Sequence, residues 1–276
     1  MDYKGIKPSV LAVMLAAALV MNQGCSIKED RSRCPCMLVM DFTDVELSGA
    51  GIMEMQVAGG DGFLYYDDDI FPDLVSEAGD EGERLLYVVS VPGPEVSVTV
   101  IGNSGGTFRP GEGLLIPYGS ECPEVSMYHS SLSVSPFGEE AGGKVVMHKD
   151  YCRIGIRMLS VSEDYPFSLS VEGNVGGIGT DRSPLQGRFS YSFVSLDDGI
   201  GCVNVPRQYD DSLVLLVKDG NRVLREFALG EYIAESGYDW AAEDLEDIEV
   251  SIDYAHSLII VDVAGWSEAF EYDVVI

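Results

Sequence analysis

Cys25 is the residue of this chain whose type and position most clearly indicate a chemical modification. It directly follows the small residue Gly24, after an apolar run from Val10 to Met21 that Lys4 and Lys7 precede. A basic start, a short apolar run and a small residue are typical of an export signal, and spanning a membrane takes about 20 apolar residues. A cysteine directly after the cleavage position is typical of a bacterial lipoprotein. We therefore predict cleavage between Gly24 and Cys25 and lipid attachment to Cys25, with an ordinary export signal as the alternative.

The residues after Cys25 indicate where such a protein would reside. Ser26–Asp30 resembles the acidic surface-export tag of lipoproteins in some Gram-negative anaerobes, and a solvated linker is the alternative interpretation. One acyl chain holds a protein weakly, whereas several chains on one cysteine make a durable anchor. We therefore predict a lipid-anchored, surface-exposed protein of the outer membrane that contacts the membrane only through Cys25.

The charge of the chain excludes several classes of partner. Its 276 residues include 17 Lys or Arg and 46 Asp or Glu, which gives a formal net charge of −29. Because phosphate binding requires a positive surface, we expect no nucleic-acid partner. The same charge disfavours lying flat on anionic lipid and favours repulsion between copies.

The other cysteines and the histidines show no catalytic or metal-binding pattern. Disulfides are allowed in an exported protein, but five cysteines are an odd number and the sequence does not choose their pairs. His129, His148 and His256 lack metal-ligand spacing, and the chain contains no nucleophile elbow. We therefore predict a protein without catalytic activity, metal or cofactor. The five cysteines are Cys34, Cys36, Cys122, Cys152 and Cys202.

Three further motifs have both a functional and a structural interpretation. Asp67–Asp69 offers carboxylates to calcium, but the spacing of a calcium loop is missing, so we favour a solvated acidic loop. Gly173–Gly179 lacks the following helix that a dinucleotide-binding loop requires, so we predict a turn between strands. Trp266 follows the apolar run Leu258–Val263, and we expect it to pack in the core rather than to form a ligand platform.

Most of the chain alternates apolar and polar residues with a period of two, which is typical of half-buried strands. Lys218–Asn221 contains Asp-Gly and predicts a tight hairpin, and Pro92–Pro94 predicts the break of an up-and-down pair. Short helices are predicted at Glu231–Ser236 and Ala241–Asp247. The predicted strands are Met37–Phe42, Ile52–Val57, Leu85–Val91, Val96–Ile101, Cys152–Leu159, Phe167–Val171, Phe189–Val194, Leu213–Val217, Val223–Phe227, Ile248–Tyr254, Leu258–Val263 and Phe270–Ile276.

These short strands, separated by turns rich in Gly and Pro, predict an all-β chain of tandem sandwiches. The loop Ser130–Gly143 is rich in Ser, Gly and Glu and precedes a fresh apolar run, so we place a domain boundary there. The predicted organisation is a signal peptide (1–24), a lipidated linker (25–36), an N-terminal β-sandwich domain (37–143) and a C-terminal β-sandwich domain (144–276).

Four segments in this order resemble the FimB/Mfa-type fimbrial anchor lipoproteins of Gram-negative anaerobes. They are Cys25–Phe42 with its Cys-Pro-Cys, the strand Tyr151–Met158, the glycine-rich Val171–Gly179, and the ending Ser251–Trp266. The resemblance implies two tandem transthyretin-like β-sandwiches. It also implies a surface lipoprotein that ties a fimbrial shaft to the outer membrane and limits the length of that shaft.

The implied partner is the fimbrial shaft subunit of the same system. Chain-terminal strands can pair with an open sheet edge of another subunit through main-chain hydrogen bonds. The C-terminal strand therefore supplies the candidate contact residues Phe270, Tyr272, Val274 and Ile276. The alternative is that this strand simply closes its own sandwich.

The sequence is also compatible with two other functions. One is a surface carbohydrate-binding lipoprotein, because sandwich folds also serve that role and a fold does not decide function. The other is a fimbrial shaft or tip adhesin subunit, whose N-terminal segment would be removed during assembly, for example at Arg31 or Arg33.

Overall fold

The computed structural model describes residues 35–46, 51–60, 62–79, 82–92, 95–134, 141–159, 167–193, 200–253, 258–263 and 266–271. This described part consists of strands, one short helix, α1 (Leu229–Glu235), and one 3-10 turn (Phe71–Asp73). The all-β class predicted from the sequence is confirmed. No helix within these ranges is long and apolar enough to cross a bilayer.

The strands of the described part form four sheets. In chain order they are β1 (Pro35–Asp41), β2 (Met53–Gly59), β3 (Leu64–Asp67), β4 (Val75–Gly79), β5 (Gly82–Pro92), β6 (Glu95–Gly102), β7 (Phe108–Arg109), β8 (Gly113–Leu115), β9 (Ser126–Ser133), β10 (Ala141–Lys144), β11 (His148–Lys149), β12 (Tyr151–Leu159), β13 (Ser168–Ile178), β14 (Pro184–Ser192), β15 (Ile200–Pro206), β16 (Val214–Asp219), β17 (Arg222–Phe227), β18 (Ile248–Asp253), β19 (Leu258–Val263) and β20 (Trp266–Glu271).

Two sheets enclose the first core and form the first sandwich. Their strand orders are β10-β1-β5-β4 and β11-β9-β6-β2-β3. Leu38 and Met40 of β1 and Met55 and Val57 of β2 are fully buried between them. Burying such a side chain contributes about 1.5–3 kcal/mol, and a register slip by one residue would turn it outward, so the apolar alternation fixes the register.

The other two sheets enclose the second core and form the second sandwich. One has the order β15-β12-β18-β19-β20, and the other runs β17-β16-β13-β8-β7 with β14 also paired to β13. Ile154 of β12 and Ile248 of β18 are partners in a parallel pair, and both are fully buried. The helix α1 covers this core with Leu229 and Ile233.

Residues 104–125, which lie between β6 and β9, leave the first sandwich and complete the second; we call this segment the strap. Its hairpin β7–β8 joins the sheet of β13, where Leu114 pairs with Ile178. Phe108, Leu114 and Ile116 of the strap are buried in the second core. The second core therefore takes residues from before the predicted domain boundary, and the boundary at residues 143 and 144 stays a prediction.

The alternation identified many strands and missed others. In β18, Ile248, Val250 and Ile252 are buried as predicted. The prediction that Ser130–Gly143 is a loop is wrong at both ends, because β9 extends to Ser133 and β10 begins at Ala141. The sequence of β9 is mostly polar, and its full antiparallel ladder with β6 holds it in place.

Of three local predictions, the hairpin is confirmed, and the strand pair and the helix are wrong. The hairpin at Lys218–Asn221 is confirmed, because Asp219 pairs with Arg222 and Gly220 adopts φ +58°. The up-and-down pair around Pro92–Pro94 is wrong, since β5 and β6 belong to different sheets. The helix at Ala241–Asp247 is also wrong: this segment forms turns whose carbonyl and carboxylate groups bind side chains and backbone of other elements.

Candidate functional site

The predicted lipid site leads directly into the centre of a sheet. Gly24 and Cys25 lie outside the described residues, and Pro35, where β1 begins, is ten residues after Cys25. β1 pairs with β5 antiparallel from Pro35 to Asp41 and with β10 parallel from Leu38 to Asp41. A strand held on both sides leaves its sheet only if both ladders break, so β1 can carry a pull from a lipid anchor.

The candidate partner-binding strand lies at the edge of a sheet in the second sandwich. β20 pairs with β19 from Trp266 to Glu271, and within the described residues no strand covers its other edge. Phe270 points toward the second core, where its ring centroid lies 5.3 Å from that of Tyr232. The other three candidate contact residues, Tyr272, Val274 and Ile276, lie outside the described residues, and so does the side chain of Trp266.

Two carboxylates of the acidic run Asp67–Asp69 accept hydrogen bonds from neighbouring groups of the protein. The Asp67 carboxylate accepts the Tyr87 hydroxyl and the Asp69 N–H, the latter at 3.1 Å. Asp69 in turn accepts the Phe71 N–H at 3.3 Å. Two of the three carboxylates therefore stabilise the turn. In the described ranges no three side chains of His, Cys, Asp or Glu are grouped so that they could hold a metal ion.

The two histidines in the described ranges lie on the paired strands β9 and β11 but have different surroundings. His148 Nδ1 is 3.2 Å from the Asp244 carboxylate, and His129 Nδ1 is buried without a hydrogen-bond partner on β9. His256 lies outside the described residues.

The cysteines of the second sandwich are free thiols. Cys122 and Cys152 are fully buried, and Cys202 is half-buried on β15. Burial raises the pKa of Cys152 to about 12 and raises the pKa of Cys122 well above its usual range. Burial therefore favours the protonated, less reactive form of both thiols. Cys36 is buried in the first core, and Cys34 lies outside the described residues.

The prediction of a turn at Gly173–Gly179 is wrong for most of the segment. Residues 173–178 lie within β13, which is bulged between Gly173 and Gly177. A Cβ on Gly177 would lie 2.2 Å from the Leu114 carbonyl oxygen, and one on Gly176 would lie 3.0 Å from the Gly187 Cα. The glycines therefore let neighbouring backbones approach closely, which is a packing role.

Sequence reasoning missed a buried charge cluster formed by Asp150, Arg182 and Arg207. The Asp150 side chain is 0% exposed, and both guanidinium groups form ion pairs with it. The three residues are far apart in the chain, so no local spacing could have indicated the cluster.

Comparisons with known proteins show which solved structures the fold resembles. No family model and no curated protein sequence matches the chain. The fimbrial anchor protein Mfa2 from Porphyromonas gingivalis superposes with a TM-score of 0.52 at 11% identity, over 85% of this chain and 99% of that one.

Two further structures show the same architecture. A candidate adhesin from Bacteroides ovatus has a TM-score of 0.54 and 13% identity, over 89% of this chain and 98% of its own. A candidate polysaccharide-binding protein from Bacteroides thetaiotaomicron has a TM-score of 0.55 and 12% identity, over 86% and 98%. At such identities the likeness shows the fold. The resemblance to the Mfa-type fimbrial anchors that the sequence predicted is thus confirmed at the level of the fold.

Proposed function

We propose that this protein is a non-catalytic outer-membrane lipoprotein that anchors a fimbrial shaft to the cell surface and limits the length of that shaft. The observation that carries the proposal is the placement of the first and last described strands. β1, the first described strand after the predicted lipid site, is internal in the first sandwich, whereas β20 is an edge strand of the second sandwich. The fold shared with the anchor protein Mfa2 supports this assignment.

The tether is short relative to the protein. Ten extended residues reach at most about 35 Å, so lipid on Cys25 would hold the first sandwich close to the membrane. The pull would act on the Pro35 end of β1, and the ladders to β5 and β10 would resist it together. The fully buried Cys36, Leu38 and Met40 hold the same strand in the first core.

The edge of β20 offers a partner the backbone groups that a strand needs. Strand addition gives affinity through main-chain hydrogen bonds, and the side chains at the edge select the partner. Ser267, Glu268 and Ala269 of β20 are exposed. A charge such as Glu268 on an open edge discourages pairing between copies of the same chain, which suits an edge reserved for a different subunit.

The shaft contact can be tested by deleting residues 271–276 in the lipidated protein on cells. We expect the truncated protein to remain folded and in the membrane while the shaft subunit no longer co-purifies with it. Val223→Lys, on the exposed face of the edge strand β17, is the matched control and should leave co-purification unchanged. Equal recovery of shaft subunit with both variants would exclude residues 271–276 as the contact.

A second candidate function is glycan binding at the cell surface, and one observation favours it. Tyr118 in the strap is 63% exposed, and the Arg188 guanidinium lies 5.1 Å from the centroid of its ring. The guanidinium lies over one face of the ring, so a sugar would stack on the other face. A glycan array with the wild type and with Tyr118→Ala tests this function. Tyr209→Ala, a change at another exposed tyrosine, is the control. Binding that both variants retain, or an array without binding, would remove this candidate.

A further inference from the structure

After the strap has returned, the chain passes again from the first sandwich to the second, and this last crossing consists of one residue, Asp150. This residue separates β11, which pairs with β9 of the first sandwich, from β12 of the second sandwich. Its N–H donates to the carbonyl of Val125, where the strap returns to the first sandwich, at 3.2 Å. Two crossings of the chain between the sandwiches therefore meet at Asp150.

The Asp150 carboxylate is buried completely and bound by two guanidinium groups. Arg182 Nε lies 2.8 Å from Oδ2, and Arg207 Nη2 lies 2.7 Å from Oδ1. Arg182 also donates from Nη2 to Oδ1 at 3.2 Å, so its contact is bidentate. Charge-assisted bidentate contacts of this kind fix geometry as well as contributing energy.

The remaining donors of the two arginines hold the segment 238–247. Arg207 Nη1 donates to the carbonyls of Trp240 and Ala242, at 2.6 and 2.7 Å. Arg182 Nη2 donates to the carbonyl of Glu243 at 2.6 Å. The segment is thus bound to the same charge cluster as the crossing of the chain.

The segment 238–247 also binds the backbone on both sides of Asp150. The Asp244 carboxylate accepts the Lys149 N–H at 2.7 Å, and the Asp247 carboxylate accepts the Arg153 N–H at 3.0 Å. The Leu245 N–H donates to the Lys149 carbonyl at 3.1 Å. We call Asp150, Arg182, Arg207 and the segment 238–247 the clasp.

The turn that carries Arg182 reaches the first sandwich as well. Thr99 of β6, which is 1% exposed, donates from Oγ1 to the Thr180 carbonyl at 2.8 Å. Arg182 itself adopts φ +68°, a left-handed conformation that costs free energy in a residue other than glycine. Its side-chain contacts in the clasp offset that cost.

We propose that the clasp is a rigid joint that holds the two sandwiches at one fixed orientation. Neighbouring domains move relative to each other by default unless their interface prevents it. Here the Asp150 carboxylate and the N–H groups of Lys149 and Arg153 are bound from the second sandwich. Breaking one partner of a buried ion pair is strongly unfavourable. If the protein is the proposed anchor, the joint sets the direction of the β20 edge relative to the tether; the joint itself does not depend on that function.

The test is a distance distribution across the joint in the full chain. Spin labels on p-acetylphenylalanine replace Val75 on β4 and Val223 on β17, which are 56% and 47% exposed. We expect one narrow distribution in the otherwise wild-type protein and at least a twofold broader one with Asp150→Asn. Lys218→Gln, which removes an ion pair with Glu172 within the second sandwich, is the control and should leave the width unchanged.

A second variant keeps the test decisive if Asp150→Asn does not fold. Thr99→Val combined with Asp244→Ala removes the hydrogen bonds to the Thr180 carbonyl and from the Lys149 N–H. The Asp244 side chain is 63% exposed, so the buried charges stay paired. Broadening in this double variant supports the joint. A width equal to that of the wild type, in either folded variant, would overturn the proposal.

Discussion

Replacing Leu114 in the strap with alanine should destabilise the second sandwich, although Leu114 lies in the first half of the chain. Its side chain is fully buried in the second core, and Leu114 pairs with Ile178 of β13. Leu→Ala changes at such sites cost about 2–5 kcal/mol, because the transfer of the removed atoms and the cavity both contribute. Against a total stability of about 5–15 kcal/mol, this is a large loss.

Urea unfolding followed by tryptophan fluorescence measures that loss. Both tryptophans report on the second sandwich, since Trp240 packs against its core and Trp266 begins β20. With a loss near 3 kcal/mol and a slope of about 3 kcal/mol per M, the unfolding midpoint should fall by roughly 1 M. Leu115→Ala is the matched control, because the neighbouring Leu115 is 39% exposed and should shift the midpoint far less. Equal midpoints for the two variants would refute the assignment of the strap to the second core.

Three further predictions concern a glycine, the thiols and pH. Gly113→Ala should destabilise the chain by more than about 1 kcal/mol in thermal unfolding, because Gly113 has φ +118° and its Cβ would lie 2.2 Å from the Ile178 carbonyl oxygen. Gly60→Ala, with open space around its Cβ, should change stability by less than about 0.5 kcal/mol, and a similar loss in both would contradict the packing argument. Iodoacetamide should label Cys202 in the folded protein before Cys122 or Cys152, as measured by peptide mass spectrometry, because burial raises the pKa of both buried thiols; early labelling of Cys152 would contradict their burial. Partial burial opposes ionisation of Asp244, but hydrogen bonds from the Lys149 N–H and His148 lower its pKa below 3.8. The ionised Asp244 therefore contributes to the free energy of unfolding above about pH 4, and this contribution is lost as pH falls through the lowered pKa. In acid unfolding, Asp244→Asn should lose less stability than the wild type over that range. Identical acid transitions of the two proteins would refute this role.

The fold class followed from the sequence because the apolar alternation records burial directly. Ile248, Val250 and Ile252 face the core whatever the arrangement of the neighbouring strands, so β18 could be predicted without them. The strand β9 could not be predicted from its sequence, because a hydrogen-bonded ladder with β6 holds its polar residues in place. The prediction of a turn at the glycines of β13 is wrong for a related reason. These glycines let the strap and β14, which lie elsewhere in the chain, approach β13 closely.

The features of the candidate site also differ in whether the local sequence could predict them. The lipid signal at Cys25 is local and could be identified from consecutive residues, and it stays a prediction because Cys25 lies outside the described residues. The clasp is a long-range arrangement: Arg182 and Arg207 bind Asp150 across the fold, and each looks like an ordinary surface residue in the sequence. The strap likewise becomes visible only when β7 and β8 are seen to pair in the sheet of β13.

The central claim is that this protein is anchored to the membrane by lipid on Cys25. Intact mass spectrometry of the protein extracted from outer membranes tests it most directly, with Cys25→Ala as the control. We expect a chain that begins at Cys25 and carries the mass of attached acyl groups, and we expect Cys25→Ala to lose membrane retention. A chain without lipid, or one that stays in the membrane without Cys25, would contradict it.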